Sequence, residues 1–288
     1  RGGKDAVITK INNNGTLGWA TYLGGSSDDI GTPSIRVDGT GVYVAGGTLS
    51  NNIPTTPTAY DISYNGGTGG DFYVAKLSLT GQQLLWGTYL GGTSNEFSET
   101  HGLALDPLVP GQVIVGFTTN SANIPIVSGA FQSVYGGGAN TGGAGSGTNY
   151  PGDGYVAKLS SDGASLLAST YLGGNAGEGL EGVSTDSAGD VYVSGGTFSS
   201  NFPLVNAYQP SLRGQADWFA SKLDNNLSTL LFSTYLGGTS NCTSSVCDYA
   251  RSSVASLNGD FHIVGHTNSL DFGLPNPNSN FGSVSFNS

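Results

Sequence analysis

The sequence predicts an all-β fold built from a repeated unit of four antiparallel strands, and three observations carry that expectation. The pentapeptide Thr-Tyr-Leu-Gly-Gly occurs four times, opening at Thr21, Thr88, Thr170 and Thr234, which marks a repeat of about 65 residues with one insertion in the third interval. Within every repeat, β-branched and aromatic runs of strand length alternate with Gly, Asn, Asp and Ser clusters, and no helical period appears. Gly accounts for 48 of 288 residues while only 10% are charged, a composition that suits many short strands and tight turns and not a disordered chain.

The first strand of the repeat reads Asp-Ala-Val-Ile-Thr-Lys-Ile (5–11), Asp-Phe-Tyr-Val-Ala-Lys-Leu (71–77), Asp-Gly-Tyr-Val-Ala-Lys-Leu (153–159) and Asp-Trp-Phe-Ala-Ser-Lys-Leu (217–223), runs rich in β-favouring side chains. A polar turn follows at 12–15, 78–81, 160–163 or 224–226 and leads into a second strand ending in Thr-Tyr-Leu-Gly-Gly, so the two form a hairpin. A third strand is expected at 35–38, 103–106, 183–186 and 254–257, and a fourth at 42–45, 113–115, 191–194 and 261–264, each fourth strand running into Gly and Thr. Long connections rich in Asn, Gly and Pro then follow. Pro54, Pro125, Pro203 and Pro275 exclude a central strand there, and lengths of roughly 20 to 35 residues exceed any hairpin loop.

The repeats fall at about 1–70, 71–152, 153–216 and 217–288 in one domain. Counted from the third strand round to the second, the chain holds three complete blades. The hairpins at its two ends are expected to pair as halves of a fourth, closing a radial β-propeller and hiding its edges.

A net charge of −11 with only nine Lys and Arg argues against nucleic acid, since little here neutralises a run of phosphates. No apolar run approaches the roughly 20 residues of a spanning helix, and no basic segment followed by an apolar one opens the chain; membrane insertion is not expected. Cys242 and Cys247 are the only cysteines. Their setting, Asn-Cys-Thr-Ser-Ser-Val-Cys-Asp, suits a small disulfide-closed loop in an oxidising compartment, with two free thiols as the alternative.

Asp-x-Tyr-Val-Ala-Lys-Leu, Thr-Tyr-Leu-Gly-Gly, the Val-Tyr-Val-x-Gly-Gly-Thr runs at 42–48 and 191–197, and Asn201-Phe202-Pro203 together resemble the SBBP, or β-propeller, repeat of bacterial secreted and cell-surface proteins. The resemblance covers essentially the whole chain. It implies an exported repeat protein used for adhesion and protein binding, in a family whose members sometimes carry immunoglobulin-like modules and a sorting domain of the type IX secretion pathway. No catalytic residues are assigned in that family. The expectation is therefore a non-catalytic extracellular module whose partners are other surface-protein subunits or domains, or glycans; the family name implies seven blades, against four repeats here.

Residues that might carry chemistry cluster in two places. The stretches after each Gly-Gly carry Asp28 and Asp29, Glu96 and Glu99, Glu178 and Glu181, and Asp248. On one loop-rich face these would offer calcium the hard oxygen ligands it prefers, or form a solvated acidic rim. Tyr60, Tyr64, Phe131, Tyr135 and Tyr208 lie in the long connections, where they either stack on carbohydrate or anchor their loops. Lys10, Lys76, Lys158 and Lys222 recur at one position of the first strand, best explained as stems covering the sheet with heads meeting Asp38, Asp106 or Asp186. Trp19, Trp86, Ala168 and Phe232 share one position of the second strand and read as blade packing. No nucleophile elbow, phosphate loop or zinc motif is present. A polysaccharide lyase or glycosidase would have to use acids such as Asp28, Asp29, Glu96 and Glu178, and neighbouring carboxylates in one loop usually diverge.

Overall fold

The structure, a computed structural model, describes residues 2–97, 101–138, 152–239 and 248–272. It opens with a hairpin of β1 (Ala6–Ile11) and β2 (Leu17–Leu23). Next, β3 (Asp29–Asp38), β4 (Gly41–Thr48), β5 (Asp71–Leu77) and β6 (Leu84–Leu90) form an antiparallel sheet in sequence order. In the following sheet, β7 (Glu96–Phe97) and β8 (Leu103–Leu105) both pair with β9 (Val113–Thr119), which continues to β10 (Asp153–Leu159) and β11 (Leu166–Leu172). A third sheet runs β12 (Glu178–Thr185), β13 (Val191–Thr197), β14 (Asp217–Leu223) and β15 (Leu230–Leu236), and β16 (Tyr249–Ala255) pairs with β17 (Phe261–His266). The fold is all-β, with no helix among the described residues.

Each of the three larger sheets is therefore sewn from two repeats, taking its first strands from the end of one and its last two from the start of the next. The repeated sequence imposes a repeated register: every first-to-second-strand hairpin carries a shift between its Lys and the next residue, at Lys10, Lys76, Lys158 and Lys222. First strands match the sequence expectation closely. The third strands start earlier than expected, at Asp29, Glu178 and Tyr249, and the fourth run on through glycine to Thr48, Thr119 and Thr197. Glycine, which weakens a strand on propensity alone, is used here for close approach. A Cβ on Gly46 would lie 2.8 Å from Ile30 Cγ2. Register shifts at Gly31 and around Gly182, with positive φ at Ile30 and Thr32, absorb the local crowding.

Alternation along the strands gives every sheet two apolar faces, and consecutive sheets use them in chain order. On β5, Tyr73, Ala75 and Leu77 pack with Ile8 and Leu23 of the first hairpin. Phe72, Val74 and Leu90 share a cluster with Phe117, Tyr155 and Tyr171 of the next sheet. Val156 and Leu172 do the same with Phe219 and Tyr235 beyond. Buried aromatic and aliphatic side chains of this kind contribute about 1.5–3 kcal/mol each.

Side-chain bonds also cross the junctions. Trp19 Nε1 donates to the Leu79 carbonyl and Trp86 Nε1 to that of Ser161, both at 3.0 Å. Each indole lies over the turn glycine of the next hairpin, Gly81 or Gly163, whose φ of 69° or 68° already favours glycine. Within single sheets, Lys158 Nζ lies 2.7 Å from Asp106 Oδ2 in a buried pair, and Lys222 Nζ lies 3.1 Å from Asp186 and 2.8 Å from Asp190. Lys76 sits over the Tyr43 ring, 5.1 Å from its centroid. These three lysines thus have structural partners.

One expectation is corrected. The terminal hairpins do not join into one sheet: β1–β2 and β16–β17 are separate two-stranded sheets, and no ladder links them among the described residues. The physical reason is where each pair is seated. The β1–β2 hairpin packs on the sheet of β3 to β6, and β16–β17 on β12 to β15, so each end is held by its own sequence neighbour.

Candidate functional site

The repeated acids converge at the junctions between sheets. At each junction the chain leaves a second strand through Gly-Gly, turns, and enters the next third strand at an acid: Asp29, Glu96, Glu178 or Asp248. All four are buried. Glu178 accepts from Gly174 N at 3.0 Å and from Thr197 Oγ1 at 2.7 Å. Asp248 accepts from Gly238 N at 2.8 Å, Thr267 Oγ1 at 2.6 Å and Ser269 Oγ at 2.8 Å. Asp29 receives Gly25 N, Thr48 Oγ1 and, at 2.8 Å, Ser50 Oγ. Glu96 takes Thr119 Oγ1 at 2.8 Å and Ser121 Oγ at 2.6 Å. The donors come from one motif, Thr-x-Ser after the fourth strand, present in all four repeats (Thr48, Thr119, Thr197, Thr267 and the serine two residues on).

A second acid faces each of these, the Asp that opens the first strand. Asp153 accepts from Gly136 N at 2.7 Å, Gly137 N at 3.3 Å and Gln132 Nε2 at 3.3 Å; Asp217 accepts from Arg213 N at 2.9 Å, Gly214 N at 3.2 Å and Gln209 Nε2 at 2.6 Å; Asp71 accepts from Asn65 N at 2.7 Å. These bonds fasten the long connections to the sheet edge. In two junctions both members of a pair crowd the first glycine of the Gly-Gly, Gly91 and Gly173: a Cβ on Gly173 would lie 2.6 Å from Asp153 Cγ and from Glu178 Oε2. The first glycine is thus needed for space, because two carboxyl groups already fill the volume a side chain would take.

Burial sets the protonation of these pairs. Desolvation pushes Asp153 up to about 7 and Glu178 up to about 8, against the pull of the hydrogen bonds they accept. Asp217 is raised for the same reason. In the coupled pair, burial raises both Asp71 and Glu96. Asp71 Oδ1 and Glu96 Oε2 both approach Gly91, so the two carboxyl groups titrate as a pair and not singly.

The acids expected to offer calcium a face are therefore turned inward. Asp28 is the exception, exposed and accepting from Lys4 N at 2.8 Å. Glu181 is buried and receives the Tyr249 hydroxyl, with Arg251 Nη1 4.0 Å away. Glu99, Cys242 and Cys247 lie outside the described residues. Backbone N–H groups aimed at the carboxylates have the wrong polarity to surround a cation, and no three His, Cys, Asp or Glu side chains form a metal-binding group among the described residues. Among the described acids, Asp29, Glu96, Glu178 and Asp248 hold N–H and O–H donors in place of a cation.

The loop aromatics divide similarly. Tyr60 N donates to the Gly163 carbonyl and Phe131 N to that of Leu227, with both rings packed on the core. Tyr64 packs edge-on against Tyr89 with centroids 6.0 Å apart, and Tyr135 tilts against Tyr171 at 5.7 Å. These four anchor their connections; Tyr208 is exposed. The sequence reading missed the Asp partners and the Thr-x-Ser motif, although the fourfold recurrence of both was the signal that would have found them.

The arrangement defines an all-β repeat protein whose recurring polar residues hold its sheets together. No protein-family model matches the chain, and no curated protein matches it.

Proposed function

We propose that this protein is a non-catalytic structural and binding module of the β-propeller type, belonging to the secreted or surface-exposed proteins that the SBBP-like repeats resemble. The observation that carries this reading is the use of the repeated polar residues. Asp29, Glu96, Glu178 and Asp248, the Thr-x-Ser hydroxyls and the first-strand aspartates Asp71, Asp153 and Asp217 spend their hydrogen bonds on fastening strand ends and loops. Function in such a molecule lies on its surfaces, and the partners are other subunits or domains of the bacterial surface.

Incubation with a panel of polysaccharides and glycosides tests the reading, with product release as the readout. No turnover is expected, and turnover abolished by Asp28→Asn or Glu178→Gln would overturn it. A second reading, glycan binding, is favoured by the exposure of Tyr208 in a long connection. A glycan array on the wild type and Tyr208→Ala tests it: signal lost in the variant supports a lectin-like surface, and a blank array removes it.

A further inference from the structure

The first and last hairpins among the described residues carry complementary halves of one interface. In each complete sheet, the tyrosine of Thr-Tyr-Leu-Gly-Gly is buried and its hydroxyl donates to the carbonyl of the serine just beyond the fourth strand. Tyr89 reaches Ser50 at 2.8 Å, Tyr171 reaches Ser121 at 2.8 Å and Tyr235 reaches Ser199 at 2.6 Å. Tyr22 is the same residue in β2, yet it is 77% exposed. Its cross-strand neighbour Val7 is 58% exposed, where the corresponding Tyr73, Tyr155 and Phe219 are fully buried.

What β1 lacks is its fourth-strand neighbour. β5, β10 and β14 each pair with a fourth strand on the side away from their hairpin partner, whereas β1 pairs only with β2 among the described residues. β17 is a fourth strand with the converse lack, pairing only with β16 among the described residues. Val254 and Val264, which share one face of that pair, are 58% and 64% exposed. Beside β1, a cleft of about 420 Å³ lined by Ile8, Lys10, Ile35, Val37 and Val42 lies open, with Ile35 and Val37 more than half exposed. In the chain itself, β16–β17 is seated at the other end, against β12 to β15.

We propose that the β16–β17 end of a second copy fills this cleft, with its β17 adding to the β1 edge. The β13–β14 ladder supplies the register: Val191 opposite Leu223 through Gly196 opposite Trp218 becomes Phe261 opposite Ile11 through His266 opposite Ala6. Three complementarities follow from that register. Val254 and Val264 face Ile35 and Val37, removing apolar surface on both copies from water. Exposed Lys10 meets exposed Asp260 as Lys222 meets Asp190 at 2.8 Å. The Tyr22 hydroxyl reaches the Ser269 carbonyl as its three counterparts reach theirs. The contact joins two unlike edges, β1 of one copy and β17 of another, so it propagates as a ring or a filament.

This proposal rests on the reading of the chain as a binding module and names the module's partner. Light scattering of the 288-residue chain over a concentration series tests it. The expected result is a weight-average mass that starts near the 29.2 kDa of one copy and rises with concentration. Tyr22→Arg, at an exposed site that leaves the circular dichroism spectrum unchanged, should abolish the rise. Lys10→Glu or Asp260→Lys alone should weaken association about fivefold, and mixing the two single variants should restore it because each supplies the end the other needs. A mass of one copy at every concentration overturns the proposal, as does association indifferent to all three substitutions. Restoration in the Lys10→Glu/Asp260→Lys double variant but not in the mixture also overturns it, because association then does not run from Lys10 of one copy to Asp260 of another. Polysaccharide turnover would remove the module reading without moving these masses, so the two failures are distinguishable.

Discussion

Ala168 and Leu227 share the buried cluster between the second and third complete sheets, and each has the opposite size to its counterparts at the earlier junctions. Trp19 and Trp86 occupy the position of Ala168, and Gly81 and Gly163 that of Leu227. Where the second strand gives up an indole, the turn supplies an isobutyl group, and it does so at φ 56°, a conformation that costs a branched side chain about 1–2 kcal/mol. The junction's volume is conserved although neither residue is.

Leu227→Gly is accordingly expected to destabilise the protein by about 2 kcal/mol, the loss of a buried leucine less the relief of its backbone strain. Adding Ala168→Trp should recover part of that loss, while Ala168→Trp alone should be as damaging as Leu227→Gly. Urea unfolding of the four proteins in the cycle measures the coupling; independent effects would mean the two positions do not share space.

Stability should fall as pH rises through neutrality. Asp153 and Glu178 have folded-state values of about 7 and about 8, above their ordinary unfolded values near 4. Protons are therefore held more tightly in the folded state. The stabilisation is complete below pH 4 for these groups and is lost as pH climbs from about 4 to about 8. Unfolding free energy should drop by more than about 1 kcal/mol between pH 5 and pH 9. Glu178→Gln, which cannot ionise, should flatten the profile, and an unchanged slope would show that the pair is not the titrating element.

The four equivalent lysines should differ sharply. Lys158→Met leaves Asp106 buried beside Asn225 without its cation and should cost about 3–5 kcal/mol. Lys10→Met, at an exposed position, should change the stability of the single copy by no more than about 0.5 kcal/mol. Thermal or urea denaturation in dilute solution compares them, and similar costs would refute a role set by local burial.

Much of this was legible because the chain repeats itself. The Asp-x-x-x-x-Lys-Leu strands and their hairpins were placed within a residue, and Lys158 and Lys222 met the acids expected of them. The acids after Gly-Gly were misplaced for one reason. The sequence reading ended the fourth strands at their glycines, as at Gly46 and Gly195, and began the third strands late, which left Glu96 and Glu178 in loops. In the structure both are strand residues with buried side chains. Pairing depends on a neighbouring strand that supplies Thr119 or Thr197, and that information is distant in sequence. The open terminal hairpins escaped notice because a repeat pattern says which strands match and not which of them meet.

Because each of the three larger sheets is sewn from two repeats, the peptide backbone and these β-sheets are cut at different places. A single proteolytic nick anywhere in the connection between Thr119 and Asp153 would split the chain in two, but β9 and β10 on either side of it would remain zipped along seven residue pairs. A nicked molecule should migrate as one particle in its native state and separate into two polypeptides only in denaturant.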